Sequence, residues 1–143
     1  MRSVQASDRA QWEVLWRGYQ DFYKVSLPEA VTKAAWARFF DEAEAVYCLV
    51  AEEDGVLLGF VQYLFHRHTW TIQNVCYLVD LFTLPAARGK GVGRGLIEAV
   101  YDAARAEGAP RVYWMTQESN AQAMVLYDKV AEKSGFLQYR KQM

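Results

Sequence analysis

Two rhythms of apolar and polar positions run along this chain, and they change where the elements change. Trp12, Leu15, Trp16, Tyr19, Phe22 and Tyr23 recur at the three- and four-residue spacing of one helix face. Ser7, just ahead of them, carries the short hydroxyl that suits a helix cap. Pro28 fits the first turn of a second helix, with Val31, Ala35, Phe39 and Phe40 as its apolar side. Arg2–Gln5 reads as a short first strand. Tyr47–Glu52 and Val56–Phe65 then read as strands joined by the tight turn Glu53-Asp54-Gly55. His66–Thr71 breaks the pattern as a polar loop, and Asn74–Thr83 forms another strand, stopped near Pro85.

The helical period returns over Gly91–Glu107, where Val92, Leu96, Val100 and Ala104 fall on one stripe and Ile97 and Tyr101 lie beside it. Gly108 is placed to stop that helix before Pro110. Val112–Met115 reads as a short strand. Ser119 and Gln122 have capping-box spacing ahead of a helix that carries Met124, Tyr127, Val130 and Ala131. Gly135 ends it, and Phe136–Arg140 is expected to be the last strand. A hairpin first and strand–helix–strand units later make a mixed α+β order. No repeat or linker divides residues 1–143, so one domain is expected.

Composition adds one core and removes several partners. The 143 residues are 52% hydrophobic and 15% aromatic, enough to fill a single core. A net charge of -1 gives no electrostatic reason to expect nucleic acid. No apolar run is long enough for a membrane span, and the residues after Met1 are polar rather than a signal-peptide core. The expectation is a cytoplasmic protein. Cys48 and Cys76 lie in apolar strand segments without the close spacing of a redox or zinc motif, so two free, buried thiols are expected. His66 and His68 lack a neighbouring Cys or acidic pair to complete a metal shell, and no metal is expected.

The chemistry concentrates in Arg88-Gly89-Lys90-Gly91-Val92-Gly93-Arg94-Gly95, a glycine-rich turn that opens the long helix. Such a turn lets backbone N–H groups approach an anion without Cβ atoms in the way, at the positive end of the helix. A merely tight turn has the same local composition. The spacing fits neither a dinucleotide fingerprint nor a Walker A loop: Arg94 stands where a third glycine is wanted, and no Ser or Thr follows Lys90.

Arg88-x-x-Gly91-x-Gly93, followed by Asn120-x-x-Ala123-x-x-x-Tyr127 and Gly135-Phe136, resembles the two signatures of the GCN5-related N-acetyltransferase (GNAT) superfamily. The likeness spans nearly the whole chain and is strongest over Tyr77–Phe136. The Tyr77–Thr83 strand and the Tyr113–Asn120 segment resemble an HPA2-like branch and the diamine acetyltransferases. The resemblance implies the acyl-CoA N-acyltransferase fold, a splayed mixed sheet flanked by helices. It implies acetyl-CoA as acyl donor, entering between the strands read as Asn74–Thr83 and Val112–Met115. Leu81, Phe82 and Thr83 match the strand end beside the pantetheine arm. Arg88, Gly89, Lys90, Gly91, Val92, Gly93 and Arg94 match the diphosphate loop, and Asn120 matches a position near the cofactor. A homodimer is also implied.

A thioester is already activated, so a neutral amine can attack it without an enzyme nucleophile. Backbone donors near Leu81 are placed to steady the developing oxyanion. Tyr127 matches the family's proton donor to the leaving thiolate; its ordinary pKa of ~10 keeps it protonated at neutral pH. A tyrosine on a helix face is otherwise a core residue. Asp80, an acid in an apolar strand, is the candidate for binding an ammonium group or taking its proton, and a buried structural acceptor is the other reading. Glu118 is a weaker candidate for the same role. The expected acceptor is a small primary amine or polyamine. A protein lysine or N-terminal amine is the alternative within catalysis, and a silent CoA-binding module the alternative outside it.

Overall fold

Arg2–Ser3 (β1), Val46–Glu53 (β2), Val56–His66 (β3), Val75–Thr83 (β4) and Val112–Tyr113 (β5) lie side by side in that order in one sheet. The structure is a computed structural model that describes residues 1–143. Neighbours from β1 to β4 run antiparallel, and β5 runs parallel to β4. Arg9–Phe22 (α1), Glu29–Arg38 (α2), Val92–Glu107 (α3) and Ala121–Val130 (α4) complete the mixed α+β architecture.

Each face of the sheet has its own core. On one face α3 lays Val92, Leu96, Ile97, Val100 and Ala104 against Val61, Tyr63, Cys76 and Leu78. This is the stripe that the helical period predicts, and Gly108 ends it at φ +82°, returning its N–H to the Arg105 carbonyl. On the other face α1 buries Trp12, Leu15 and Trp16 against Val50, Leu57, Phe60 and Phe82. Trp12 and Trp16 are stacked at 5.8 Å between ring centroids, and Trp36 and Phe39 of the α2 region close over Trp12. Cys48 and Cys76 are free and buried, as expected, and burial pushes both thiols up in pKa.

One register irregularity decides which residues face which core. Gln62 pairs with Asp80, but Tyr63 pairs with Leu78, so Val79 is an extra residue in β4. A bulge of this kind reverses the alternation of every side chain beyond it. Cys76 and Leu78 face α3, whereas Asp80 and Phe82 consequently face α1. A regular strand would have turned Asp80 into the apolar α3 core.

The β4–β5 ladder is short. It pairs Cys76 with Val112 and Tyr77 with Tyr113, then stops, so β5 ends at Tyr113 rather than at Met115. Beyond it the β4 backbone groups that point away from β3 have no strand partner, and the sheet is split there.

Several expectations at element ends are corrected. Phe136–Arg140 forms no strand: no ladder accepts it, and Phe136, Leu137 and Tyr139 stand exposed. The capping box proposed for Ser119 and Gln122 does not form; Asn120 is the cap position and its side chain reaches Thr116 instead. Ser7 does not cap α1. Asp8 serves the chain entry, accepting from the Gln5 N–H at 2.7 Å and from both terminal nitrogens of Arg2. Pro28 is the residue before α2 rather than within it, and Val31 and Phe40 are exposed, leaving Ala35, Trp36 and Phe39 as the packed side.

Candidate active site

The glycine turn is built for close approach. Gly89 and Gly91 both adopt φ +79°, and a Cβ at either would stand in open space. The turn therefore selects glycine for its backbone shape. Gly93 is different. Its backbone is helical, and a Cβ there would lie 3.6 Å from Leu126 and 3.8 Å from Thr83 Oγ1, between the end of β4 and α4. No side chain caps the N-terminus of α3, so its first N–H groups are free for an anion. These features fit the diphosphate arm of a CoA thioester.

The cations around the turn are unequal. Arg88 lies with its guanidinium 5.9 Å from the Phe22 ring centroid, leaning toward the end of α1. Arg94 is paired with Glu98 one turn along the helix at 3.0 Å. Lys90 is exposed and has no ion-pair partner. Of the strand-end residues, Phe82 sends its ring into the α1 core and Leu81 packs toward α3, so each leaves only its backbone for a ligand. Thr83 is half-buried beside Gly93. Val92 belongs to the α3 core.

Tyr127 projects from α4 beside the split in the sheet. It meets Trp114 edge to face at 5.4 Å and packs on the α3-side core. Burial, with a smaller push from the nearby Tyr23, raises its hydroxyl to about 12. Tyr23 follows the last turn of α1, so groups from both faces meet near this gap. Asn120 stands at the start of the same helix, its amide 3.3 Å from Thr116 Oγ1.

Asp80 sits on the α1 side of the gap. Its carboxylate is half-buried and accepts from Gln62 Nε2 at 2.7 Å. Tyr19 directs its hydroxyl toward the same carboxylate. Burial pushes the carboxyl above the ordinary range, and these two donors pull it back. Tyr23 and Tyr77 lie close enough for the charge of Asp80 to raise their own hydroxyls. The result is an acid with a solvent path, walled by three tyrosines. Glu118, by contrast, is exposed in the loop before α4.

The sequence reading named Tyr19 and Tyr23 only as members of an aromatic helix face and did not single out Gln62. A glutamine among Phe60, Val61 and Tyr63 in a strand was the available signal. The histidines go separate ways: His66 Nε2 lies 2.6 Å from Tyr113 Oη, and His68 Nδ1 accepts from the Trp70 N–H. No group of three His, Cys, Asp or Glu side chains is arranged for a metal. Two surface concavities lie elsewhere, along α3, where Glu98 and Asp102 line both. They are open and polar and contain none of the residues around Asp80.

Known proteins resemble this chain in sequence and fold. A sequence model described as "Acetyltransferase (GNAT) family" matches residues 10–131. The D-amino-acid N-acetyltransferase HPA3 of Saccharomyces cerevisiae is 38% identical over 99% of this chain and 89% of its own length. The thialysine N-epsilon-acetyltransferase of Mus musculus is 29% identical over 98% of this chain and 90% of its own. The fold also superposes on AAC(6')-Iy, solved with the bisubstrate analogue CoA-S-monomethyl-acetylneamine. There the TM-score is 0.84 at 21% identity, covering 99% of this chain and 97% of that one.

Proposed function

Since the chain belongs to the GNAT family of acetyl-CoA-dependent acetyltransferases, we propose that its acceptor is a small primary amine whose ammonium group is met by Asp80. The observation that carries this reading is the half-buried Asp80 carboxylate among Tyr19, Tyr23 and Tyr77, beside the split between β4 and β5. A carboxylate removed from water needs a cationic partner, and the protein provides none there. The aromatic walls suit the methylene stem and cationic head of an aliphatic amine.

Acetyl-CoA supplies an activated thioester. An ammonium nitrogen has no lone pair, so one proton leaves to solvent before attack; the neutral amine nitrogen then bonds to the carbonyl carbon, the C–S bond breaks toward sulfur, and a second proton must leave. Asp80 orients the ammonium group and receives that proton, directly or through water. An aliphatic ammonium has a pKa near ~10 and resists giving its proton to a carboxylate, which is why the first proton goes to solvent. Once the N–C bond forms, the nitrogen becomes strongly acidic and the transfer runs downhill. The backbone of Leu81, in the unpartnered stretch of β4, is the oxyanion candidate.

Tyr127 faces the leaving sulfur in this reading. With a pKa of about 12, its proton is held more tightly than that of an ordinary thiol at ~8.5. It therefore works chiefly by donating a hydrogen bond to the developing thiolate, with full protonation completed by solvent. Gly89–Gly93 and Asn120 hold the donor, and Lys90 is the cation free to approach its phosphates.

The relatives named for D-amino acids and thialysine enlarge the set of acceptors to try. The test is incubation with acetyl-CoA and a mixture of diamines, polyamines, D-amino acids, thialysine and lysine peptides, followed by product masses. A monoacetylated small amine is the expected product. Acetylation confined to the peptides, or tight CoA binding with no product, would overturn the proposal.

A further inference from the structure

Asp80 is the end of a chain of hydrogen bonds that starts deep in the protein. Trp12 is fully buried, and its indole nitrogen donates to Gln62 Oε1 at 2.9 Å. Gln62, itself 4% exposed, donates from Nε2 to Asp80 Oδ2 at 2.7 Å. The order of donors along this chain is forced. An indole N–H can only donate, so the amide must turn its oxygen toward Trp12. Its NH₂ group is thereby aimed at β4, where the Val79 bulge brings Asp80 into register with Gln62. A flipped amide would set two donors together at one end and two acceptors together at the other.

We propose that Gln62, oriented by Trp12, is a positioning residue that keeps Asp80 ionised and its carboxylate turned toward the acceptor amine. The inference rests on the reading of Asp80 given above. The fixed Nε2–H favours the charged form of Oδ2 and opposes the burial that would neutralise it. It also fixes Oδ2, and with it the orientation of the carboxylate.

The groups facing Asp80 make this separable from other ionisations. Tyr19 faces it from α1, Tyr23 from the end of that helix, Cys48 from β2 and Tyr77 from its own strand. All four are pushed upward and stay neutral below neutral pH. An acid-side transition in this cluster therefore belongs to Asp80 alone.

Gln62→Met keeps the length of the side chain and removes both hydrogen bonds. Trp12→Phe keeps an aromatic core and frees the amide to flip. The primary readout is the carboxyl-carbon NMR titration of Asp80, with selectively labelled aspartate and Asp80→Asn identifying the signal. Losing one hydrogen bond to a charged group raises a carboxyl pKa by about one to two units. Gln62→Met is expected to show that rise, and Trp12→Phe a smaller rise in the same direction. The acid limb of kcat/KM for the best amine of the panel is expected to move with it, so that activity lost near neutrality returns at higher pH.

An unmoved Asp80 titration in folded Gln62→Met overturns the inference, as does one in Trp12→Phe should the first variant fail to fold. A uniform fall in kcat/KM with no change in pH dependence does the same, because a merely structural glutamine predicts that pattern. The reading of Asp80 itself fails by another result: Asp80→Asn with unaltered amine kinetics.

Discussion

The two faces of the sheet are packed by different chemistry. The α3 face is sealed by aliphatic side chains, with Leu96, Ile97 and Val100 fully buried. The α1 face buries as many large side chains but threads polar groups among them: Gln62, Asp80, the indole nitrogen of Trp12 and the hydroxyl of Tyr19. Aliphatic packing makes a platform rigid. Aromatic packing with polar handles lets a core continue into a binding site, because one end of each ring is apolar and the other can donate. The α3 face carries the cofactor turn, and in the proposed function the α1 face is the side that meets the acceptor.

The sharpest break in this division is expected at the seam, where Tyr127 joins the α3-side core to Tyr23 at the end of α1. Tyr127→Phe keeps the ring and its packing on Trp114 but removes the hydroxyl. Single-turnover acetyl transfer should fall ~10²–10⁴-fold, with acetyl-CoA affinity little changed. The high pKa of this hydroxyl also fixes a sign. Tyr127 is the protonated donor well below about 12, so its ionisation should cause no fall in turnover between neutrality and pH 10.

A purely structural change on the α3 face should behave differently. Leu96→Ala is expected to lower unfolding free energy in urea by about 2–5 kcal/mol while the surviving folded enzyme keeps its acceptor preference. A changed preference would show that the α3 face also shapes the acceptor site.

Gly93→Val tests the turn itself. Unlike Gly91, Gly93 has no positive φ to confound the result, and the added methyls crowd Thr83 and Leu126. Calorimetry should show acetyl-CoA binding weakened by about 1–3 kcal/mol. The smallest effect is expected from Arg94→Ala. Its exposed pair with Glu98 on α3 is worth about 0.3–0.5 kcal/mol, and acetyl-CoA affinity should stay close to wild type. Lys90→Ala should weaken affinity more than Arg94→Ala does.

What was legible in the sequence was local and periodic. The stripe Val92, Leu96, Val100 and Ala104, the Gly108 stop and the Asp54-Gly55 hairpin turn all follow from short-range spacing, and all are present. The glycine turn was legible because its backbone conformation requires glycine. The Val79 bulge was not: Val75–Leu78 and Leu81–Phe82 are apolar on both faces, so no alternation marks the slip. Its consequence, the side to which Asp80 points, was hidden with it. The Trp12–Gln62 hydrogen bond joins positions 50 residues apart and leaves no local trace. Phe136–Arg140 looked like a strand because its composition suits one, but a strand also needs a neighbour to pair with, and no ladder forms there.

The central claim, that Asp80 on the α1 face reads the acceptor's charge, is tested most directly by Asp80→Asn. The measurement is kcat/KM for the best small amine, taken beside the acetyl-CoA dissociation constant for the same folded protein. Loss of one partner from a desolvated charge pair predicts a fall in kcat/KM on the order of a hundredfold, with acetyl-CoA binding unchanged. Equal kcat/KM in wild type and Asp80→Asn would contradict the account.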